Sequence, residues 1–239
     1  MQVTQQNQTI TWKLNRPEHE NGLDIATIES MERSLTELER EADPQVVCLL
    51  VVGQPTIFST GLDRDLLENC FSDATLFHNV VQRVNHLLNR LEILPLVSIA
   101  CVEGTCRLGG LELALACDWI IAGESATFSD GHLAYDAMPG GGATRRLPAR
   151  LGYPCALRFI LQKETLNAAD AAKRGLVDEA VPSGDALSRA NEIATSLATA
   201  HPSVIHGIKS SLRAAVPQVS EVTESENFQR AVINRLVAH

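Results

Sequence analysis

The chain has no surplus of positive charge. Its 20 Lys and Arg face 29 Asp and Glu, a formal net charge of −9, whereas a protein that grips a phosphate backbone needs the reverse. Nucleic acid is therefore not an expected partner, although Arg145, Arg146 and Arg150 form one local basic cluster that could hold a phosphorylated small molecule. Metal-ligand spacing is missing as well. The six cysteines and seven histidines form no CxxC pair and no Cys/His cluster of the kind that binds zinc. Cys48, Cys101 and Cys117 sit inside apolar runs, where a free thiol behaves as a small hydrophobe, and reduced thiols fit a reducing compartment. No apolar run is long and uninterrupted enough to span a bilayer. The opening "MQVTQQNQTITW" has neither the basic nor the apolar region of a secretory leader. The expectation is a cytoplasmic protein with no membrane partner and no metal. Solenoid-period repeats and low-complexity segments are also absent.

What is present is an ordinary globular composition, 45% apolar and 21% charged over 239 residues, ample for a sizeable core. "TITWKL" alternates as a strand does. Ile25 to Glu41 is patterned as an amphipathic helix, with Ile28, Met31, Leu35 and Leu38 at helical spacing. "VVCLLVV" (Val46 to Val52), "LVSIACV" (Leu96 to Val102) and "WIIAG" read as strands buried on both faces. "GQPTIFSTGLD" reads as a loop. Ala74 to Leu91 is a long helix with Leu76, Val80, Val84, Leu87 and Leu91 on one stripe, ended by Pro95. "LELALAC" fits a short helix. Asn167 is placed to cap another, with Asp170 at its third position, and "GLVDEAVP" reads as a short strand. From Asp185 to His239 the pattern is helical, punctuated by Pro202 and Pro217. Alternating buried strands and helices give an α/β core. The helical tail is too thin to fold alone, so it should pack on that core or on another subunit.

Two loops share a design. Phe58-Ser59-Thr60-Gly61-Leu62-Asp63 and Arg107-Leu108-Gly109-Gly110-Leu111-Glu112 each follow an apolar strand and place glycine where the backbone turns toward a helix. Helix starts present unpaired N–H groups, and glycine lets a ligand oxygen approach the backbone. Two such donors from separate loops would form an oxyanion hole. Tight turns before helices have the same composition, and on the residues alone both readings stand. Other sites fail on spacing. No G-x-S-x-G elbow surrounds Ser59, and the glycines of "RLGG" do not form a dinucleotide fingerprint.

Five segments in order, "LNRPEHENGLD", "IFSTGLD", "VEGTCRLGGLELALACDWIIAGESATF", "MPGGGATRRLPARLG" and "AAKRGLVDEAVP", resemble the crotonase superfamily, the enoyl-CoA hydratase/isomerase family. The resemblance covers most of the chain. It implies a spiral of repeated β-β-α units over 1–182 and a C-terminal helical region over 183–239. It also implies an acyl-CoA or acyl-carrier thioester substrate, so that CoA or phosphopantetheine arrives with the substrate and no separate cofactor is needed. A homotrimer or hexamer is the implied assembly. Matched residue by residue, the backbone N–H groups of Leu62 and Gly109 would hold the thioester oxygen, with Gly61, Asp63, Gly110, Tyr135, Pro139 and Gly140 near the substrate. Leu108 stands where many relatives have a further glycine.

Glu112 matches the first of the two glutamates of the hydratases. It falls in the first helical turn after the oxyanion glycine, and an apolar cleft would raise its pKa toward the working range of an acid/base group. The alternative is an acid serving only the helix dipole. The second glutamate is absent, and His132, in Ser129-Asp130-Gly131-His132, takes its position. Histidine also exchanges protons near neutral pH, so the pair would add or remove water across a conjugated double bond. Asp136, four residues on, would orient or charge His132 if that segment is helical, while as catalytic groups Asp130 and Asp136 both read as structural. His78 and His86 lie on the long helix, and His19, His201, His206 and His239 have no motif support. An isomerase or decarboxylase of the same superfamily, or a non-catalytic partner subunit, are the alternatives this departure leaves open.

Overall fold

A computed structural model describes residues 1–40, 46–71, 73–215 and 221–237. The chain opens with an antiparallel hairpin, β1 (Gln2–Gln6) and β2 (Thr9–Lys13), and continues into α1 (Ile25–Arg40), where Ile28, Met31, Leu35 and Leu38 are buried as their spacing predicts. Glu41, the expected last residue of that helix, lies outside the described residues.

Three units of like design follow. The first is β3 (Cys48–Val52), β4 (Ile57–Ser59), α2 (Arg64–Phe71) and α3 (Ala74–Glu92). The second is β5 (Val97–Val102), β6 (Thr105–Arg107) and α4 (Gly109–Leu115). The third is β7 (Trp119–Gly123) and β8 (Thr127–Ser129), a 3-10 turn at His132–Tyr135, then α5 (Ala143–Leu151) and α6 (Tyr153–Leu161). The chain closes through β9 (Thr165–Asn167), α7 (Ala168–Lys173), β10 (Glu179–Val181), α8 (Ala186–Leu197), α9 (Pro202–Ala215) and α10 (Glu221–Val237). The first strand of each unit joins a six-stranded sheet in the order β1-β2-β3-β5-β7-β10, and the second joins a four-stranded sheet in the order β4-β6-β8-β9. This is the expected repetition of β-β-α units.

The apolar runs are continuous because both faces of the large sheet are covered. In β3, Leu49 and Val51 point into the main core, while Cys48 and Leu50 point into a second cluster closed by Ala186, Ala190 and Ala194 of α8. The thiols follow the same logic. Burial pushes Cys48 and Cys117 up to about 12, so they are packing groups, not nucleophiles.

The short second strands were not legible as strands. "GQPTIFSTGLD", patterned as a loop, contains β4, and three residues cannot display a period. Leu76, expected on the buried stripe of α3, is 40% exposed, whereas Val80, Val84, Leu87 and Leu91 are buried. Asn167 caps α7 as its sequence predicts, its Oδ1 accepting from Asp170 N at 2.8 Å. The helical tail packs on its own core. Lys209 of α9 donates to Leu96 O and Asp118 Oδ2, and α10 lies on α3 and α5, with Phe228 against Phe77 at 5.7 Å between ring centres. Pro202 begins α9; Pro217 and His239 lie outside the described residues. Among the described residues no helix is long and apolar enough to cross a membrane.

Candidate active site

β4 and β6 are parallel neighbours, so their C-terminal ends emerge side by side. That brings the two glycine loops together. Gly61 has φ +88°, and a β-carbon there would lie 2.5 Å from Gly109 N and 2.7 Å from Gly109 Cα. Only glycine permits both that dihedral and that approach. The turn is braced from below: Ser59 Oγ donates to Asn21 O at 2.9 Å and accepts from Gly61 N at 3.1 Å. The N–H groups of Leu62 and Gly109 make no hydrogen bond among the described residues. Leu62 bridges Leu23 through the flanking Gly61 O and Asp63 N, and Gly109 is the first residue of α4. The two free donors are therefore neighbours. Leu108 takes φ 53° and ψ −131°, a region costly for any side-chain-bearing residue, on the order of 1–3 kcal/mol. Its own N–H donates to Asp130 O at 3.0 Å, which fixes the turn that delivers Gly109.

One turn along α4, Glu112 is 3% exposed. Its Oε1 accepts from Gly141 N at 2.8 Å and Ala143 N at 3.1 Å. Burial raises its pKa above the usual carboxylate value. The charge of His132 and the Ala143 hydrogen bond oppose the rise, and the charges of Glu224 and Asp130 add to it.

His132 opens the 3-10 turn. Its Nδ1 lies 3.1 Å from Asp130 Oδ2, and its backbone N–H donates to Asp130 Oδ1 at 3.2 Å. Asp130 is 1% exposed. Burial works to lower the His132 pKa, but the Asp130 hydrogen bond and the charges of Glu112, Asp130 and Glu224 outweigh it, and the net direction is up. With Nδ1 engaged, Nε2 is the nitrogen left to exchange a proton. The orienting acid is thus Asp130 and not Asp136. A 3-10 turn does not bring residues four apart onto one face, and Asp136 ends the turn, exposed, with φ 52°.

The remaining candidates divide. Pro139 and Gly140 are buried beside the donors to Glu112. Asp63 is spent on structure: it accepts from Arg16 Nη1 at 2.8 Å and from the first N–H groups of α2. Its carboxylate also lies within 4.8 Å of ligand atoms of His19 and Asp65, but those existing bonds make this a braced turn and not a cation cage. Gly110 packs its backbone on the Ser59 carbonyl, and Tyr135 is 54% exposed. The basic cluster is consumed internally. Arg145 pairs with Glu224, Arg146 with Glu92, and Arg150 with Asp178 and the carbonyls of Cys117 and Asp118. It is not a phosphate site. His86 is exposed, and the His78 ring stacks on Phe228.

Two residues beside the site carry no motif. Glu224 of α10 is 4% exposed, and Asn85 of α3 is 1% exposed. Their side chains meet at 3.2 Å. The only sequence signal for Glu224 is Phe228, four residues on and therefore on the same helical face.

Known proteins match this chain in sequence and fold over nearly its whole length. The enoyl-CoA hydratase/isomerase family model matches residues 4–236. The 2,3-dehydroadipyl-CoA hydratase of Escherichia coli is 32% identical over 212 residues, 88% of this chain and 80% of that protein. Among solved structures, an enoyl-CoA hydratase from Bacillus anthracis superposes with a TM-score of 0.85 at 27% identity, covering 98% of this chain and 90% of the other. DspI of Pseudomonas aeruginosa gives 0.84 at 29% identity, covering 99% and 93%. A family model that spans nearly the whole chain, and a relative 32% identical over most of it, place the chain in the enoyl-CoA hydratase/isomerase family.

Proposed function

We propose that the protein is an enoyl-thioester hydratase, working reversibly on an acyl-CoA or acyl-carrier thioester. The observation that carries this reading is the meeting of the free Leu62 and Gly109 N–H groups one helical turn from the buried Glu112 carboxylate. The thioester oxygen accepts from both N–H groups, each worth about 3–4 kcal/mol toward a developing enolate. Glu112, ionised, takes a proton from water. The water oxygen bonds to the β-carbon as the double-bond electrons move toward the thioester, and protonated His132 delivers a proton from Nε2 to the α-carbon. Water and enoyl thioester become a 3-hydroxyacyl thioester, and a proton passes from Glu112 back to His132 to reset the pair. Dehydration is the same path reversed. The E. coli relative's name describes a CoA thioester hydratase, which supports the substrate class assigned here.

The test is a panel of 2-enoyl thioesters on CoA and on acyl-carrier protein, with products read by mass. Gain of one water is the expected result. Conversion of 3-enoyl to 2-enoyl thioesters, or loss of carbon dioxide from a malonyl-type thioester, with no hydration, would replace this reading with isomerase or decarboxylase. Binding without any turnover would make the chain a non-catalytic subunit.

We also propose a homotrimer or dimer of trimers. Tyr153, Leu157 and Leu161 on α6, and Val204, Ile208 and Leu212 on α9, form two stripes at four-residue spacing. All six lie between 43% and 68% exposed in the single chain, and exposed apolar stripes of this kind mark contact surfaces. Light scattering is expected to give a mass of three or six chains, and a monomer at micromolar concentration would remove the proposal.

A further inference from the structure

The segment that holds Glu112 is itself held from behind. Gly141 and Ala143, the two donors to the Glu112 carboxylate, lie in a run whose ends are both fastened to the same polar pair. Asn85 Nδ2 donates to Gly140 O at 2.6 Å and to Glu224 Oε2 at 3.2 Å. Glu224 accepts from Thr144 Oγ1 through one oxygen and from Arg145 Nε, at 3.2 Å, through the other. There is little slack between these fastenings. A β-carbon on Gly141 would lie 2.5 Å from Glu112 Oε2, and one on Gly140 would strike Val81 and Phe228. A displacement of Glu224 therefore passes into the two N–H groups that aim the Glu112 carboxylate.

We infer that Glu224 of the C-terminal helix is a positioning residue for Glu112, acting with Asn85 through the 140–144 segment, so that the site is complete only when α10 is docked on its own core. This deepens the hydratase reading and rests on it for the role of Glu112. The contact geometry agrees with the charges. The groups acting on Glu112 are Glu224 from α10, and Asp130 and His132 from the segment after β8. Arg146 from α5 feels Glu112 in turn, and its Nη1 donates to Gly141 O at 2.7 Å. Glu224 also acts on His132, so one helix reaches both proposed proton-transfer groups.

Glu224→Gln keeps the shape and one accepting oxygen and removes the charge. Two readouts decide. The first is the titration of the Glu112 carboxyl, followed by NMR with carbon-13 glutamate and assigned by its loss in Glu112→Gln. A negative charge nearby raises that pKa, so Glu224→Gln is expected to move it down. The second is turnover of the 2-enoyl thioester that the wild type accepts. We expect kcat to fall about 10–100-fold, the scale of a small misplacement at a reacting centre, with KM within about twofold and the whole pH–rate bell shifted toward acid. If Glu224→Gln does not fold, Thr144→Val removes one of the fastenings without touching a charge, and is expected to lower kcat in the same way at unchanged KM. A Glu112 titration and a kcat indistinguishable from wild type in the folded variant would overturn the inference while leaving the hydratase reading intact. A wild type that hydrates nothing would overturn that reading, and the carboxyl titration would still decide whether Glu224 acts on Glu112.

Discussion

Glu112→Gln is expected to lose about 10³-fold or more in turnover while binding thioester almost as wild type. The size follows from what the substitution removes. General acid/base transfer contributes roughly 10²–10⁴-fold, and Gln can neither take a proton from water nor return one. The binding elements stay. Leu62 and Gly109 offer backbone N–H groups that no side-chain change touches, and the Gln carbonyl can accept from Gly141 N and Ala143 N as Glu112 Oε1 does. Steady-state kinetics and thioester affinity by calorimetry measure the two halves separately. A rate within tenfold of wild type would remove Glu112 from the chemistry.

The same variant carries a stability signature of opposite sign. Burial raises the Glu112 pKa in the folded protein, so the folded state holds this proton more tightly than the unfolded chain does. Stability therefore falls as pH rises from the unfolded carboxylate value, near 4.5, through the folded one. Gln does not titrate, and the variant escapes that loss. Its melting temperature is expected to exceed wild type at pH 8, with the gap closing at pH 4; each kcal/mol corresponds to about 2–4 °C in a chain of this size. Loss of activity with gain of stability marks a side chain kept for chemistry and not for packing.

The parts of this site differ in how far the sequence discloses them, and the reason is the range of the interactions involved. The long strands show themselves because both faces are buried. Leu49 and Leu50 must each find an apolar partner, so the run cannot alternate. The strands that deliver the loops, Ile57–Ser59, Thr105–Arg107 and Thr127–Ser129, are too short to carry a period, yet their pairing is what brings Gly61 to Gly109. Glu112 is legible because its neighbours in the chain are also its neighbours in space. Glu224 is not. It is one acid among several in "SEVTESENFQ", and its importance comes from Thr144, Arg145 and Asn85, at least 79 positions away. The arginine cluster errs for the same reason: its charges are visible in the chain, but the carboxylates that consume them come from α3, α10 and the segment before β10. Asp130 and Asp136 differ only in local backbone. An α-helix would have favoured Asp136, and the 3-10 turn favours Asp130.

That last pairing sets the second large effect. His132→Asn is expected to cost about 10²–10⁴-fold in turnover, with the basic limb of the pH–rate profile lost. Asn can still donate to Asp130 Oδ2 and keep the turn, but it carries no transferable proton. The sign of the limb follows from the shift. The charges around His132 raise its pKa above the ordinary 6.5, so the imidazolium is favoured in the fold; its stabilising effect is complete below the unfolded value and disappears as pH rises through the folded one. In the proposed mechanism activity needs Glu112 ionised and His132 protonated, a window bounded below by Glu112 and above by His132. His132→Glu separates this account from simple replacement of the missing glutamate. A carboxylate at that position would face Asp130, which is 1% exposed, and would join Glu112 and Glu224 in one buried cluster of like charge. It is therefore expected to be at least as slow as His132→Asn. Adding Asp130→Asn, which removes the nearest repelling charge and can hydrogen-bond the new carboxylate, is expected to recover part of the loss. Kinetics of the three variants across pH 5 to 9 measure this. A single His132→Glu variant as active as wild type would show that Asp130 and His132 do not operate as a matched pair, and that the imidazole holds only the place of an acid.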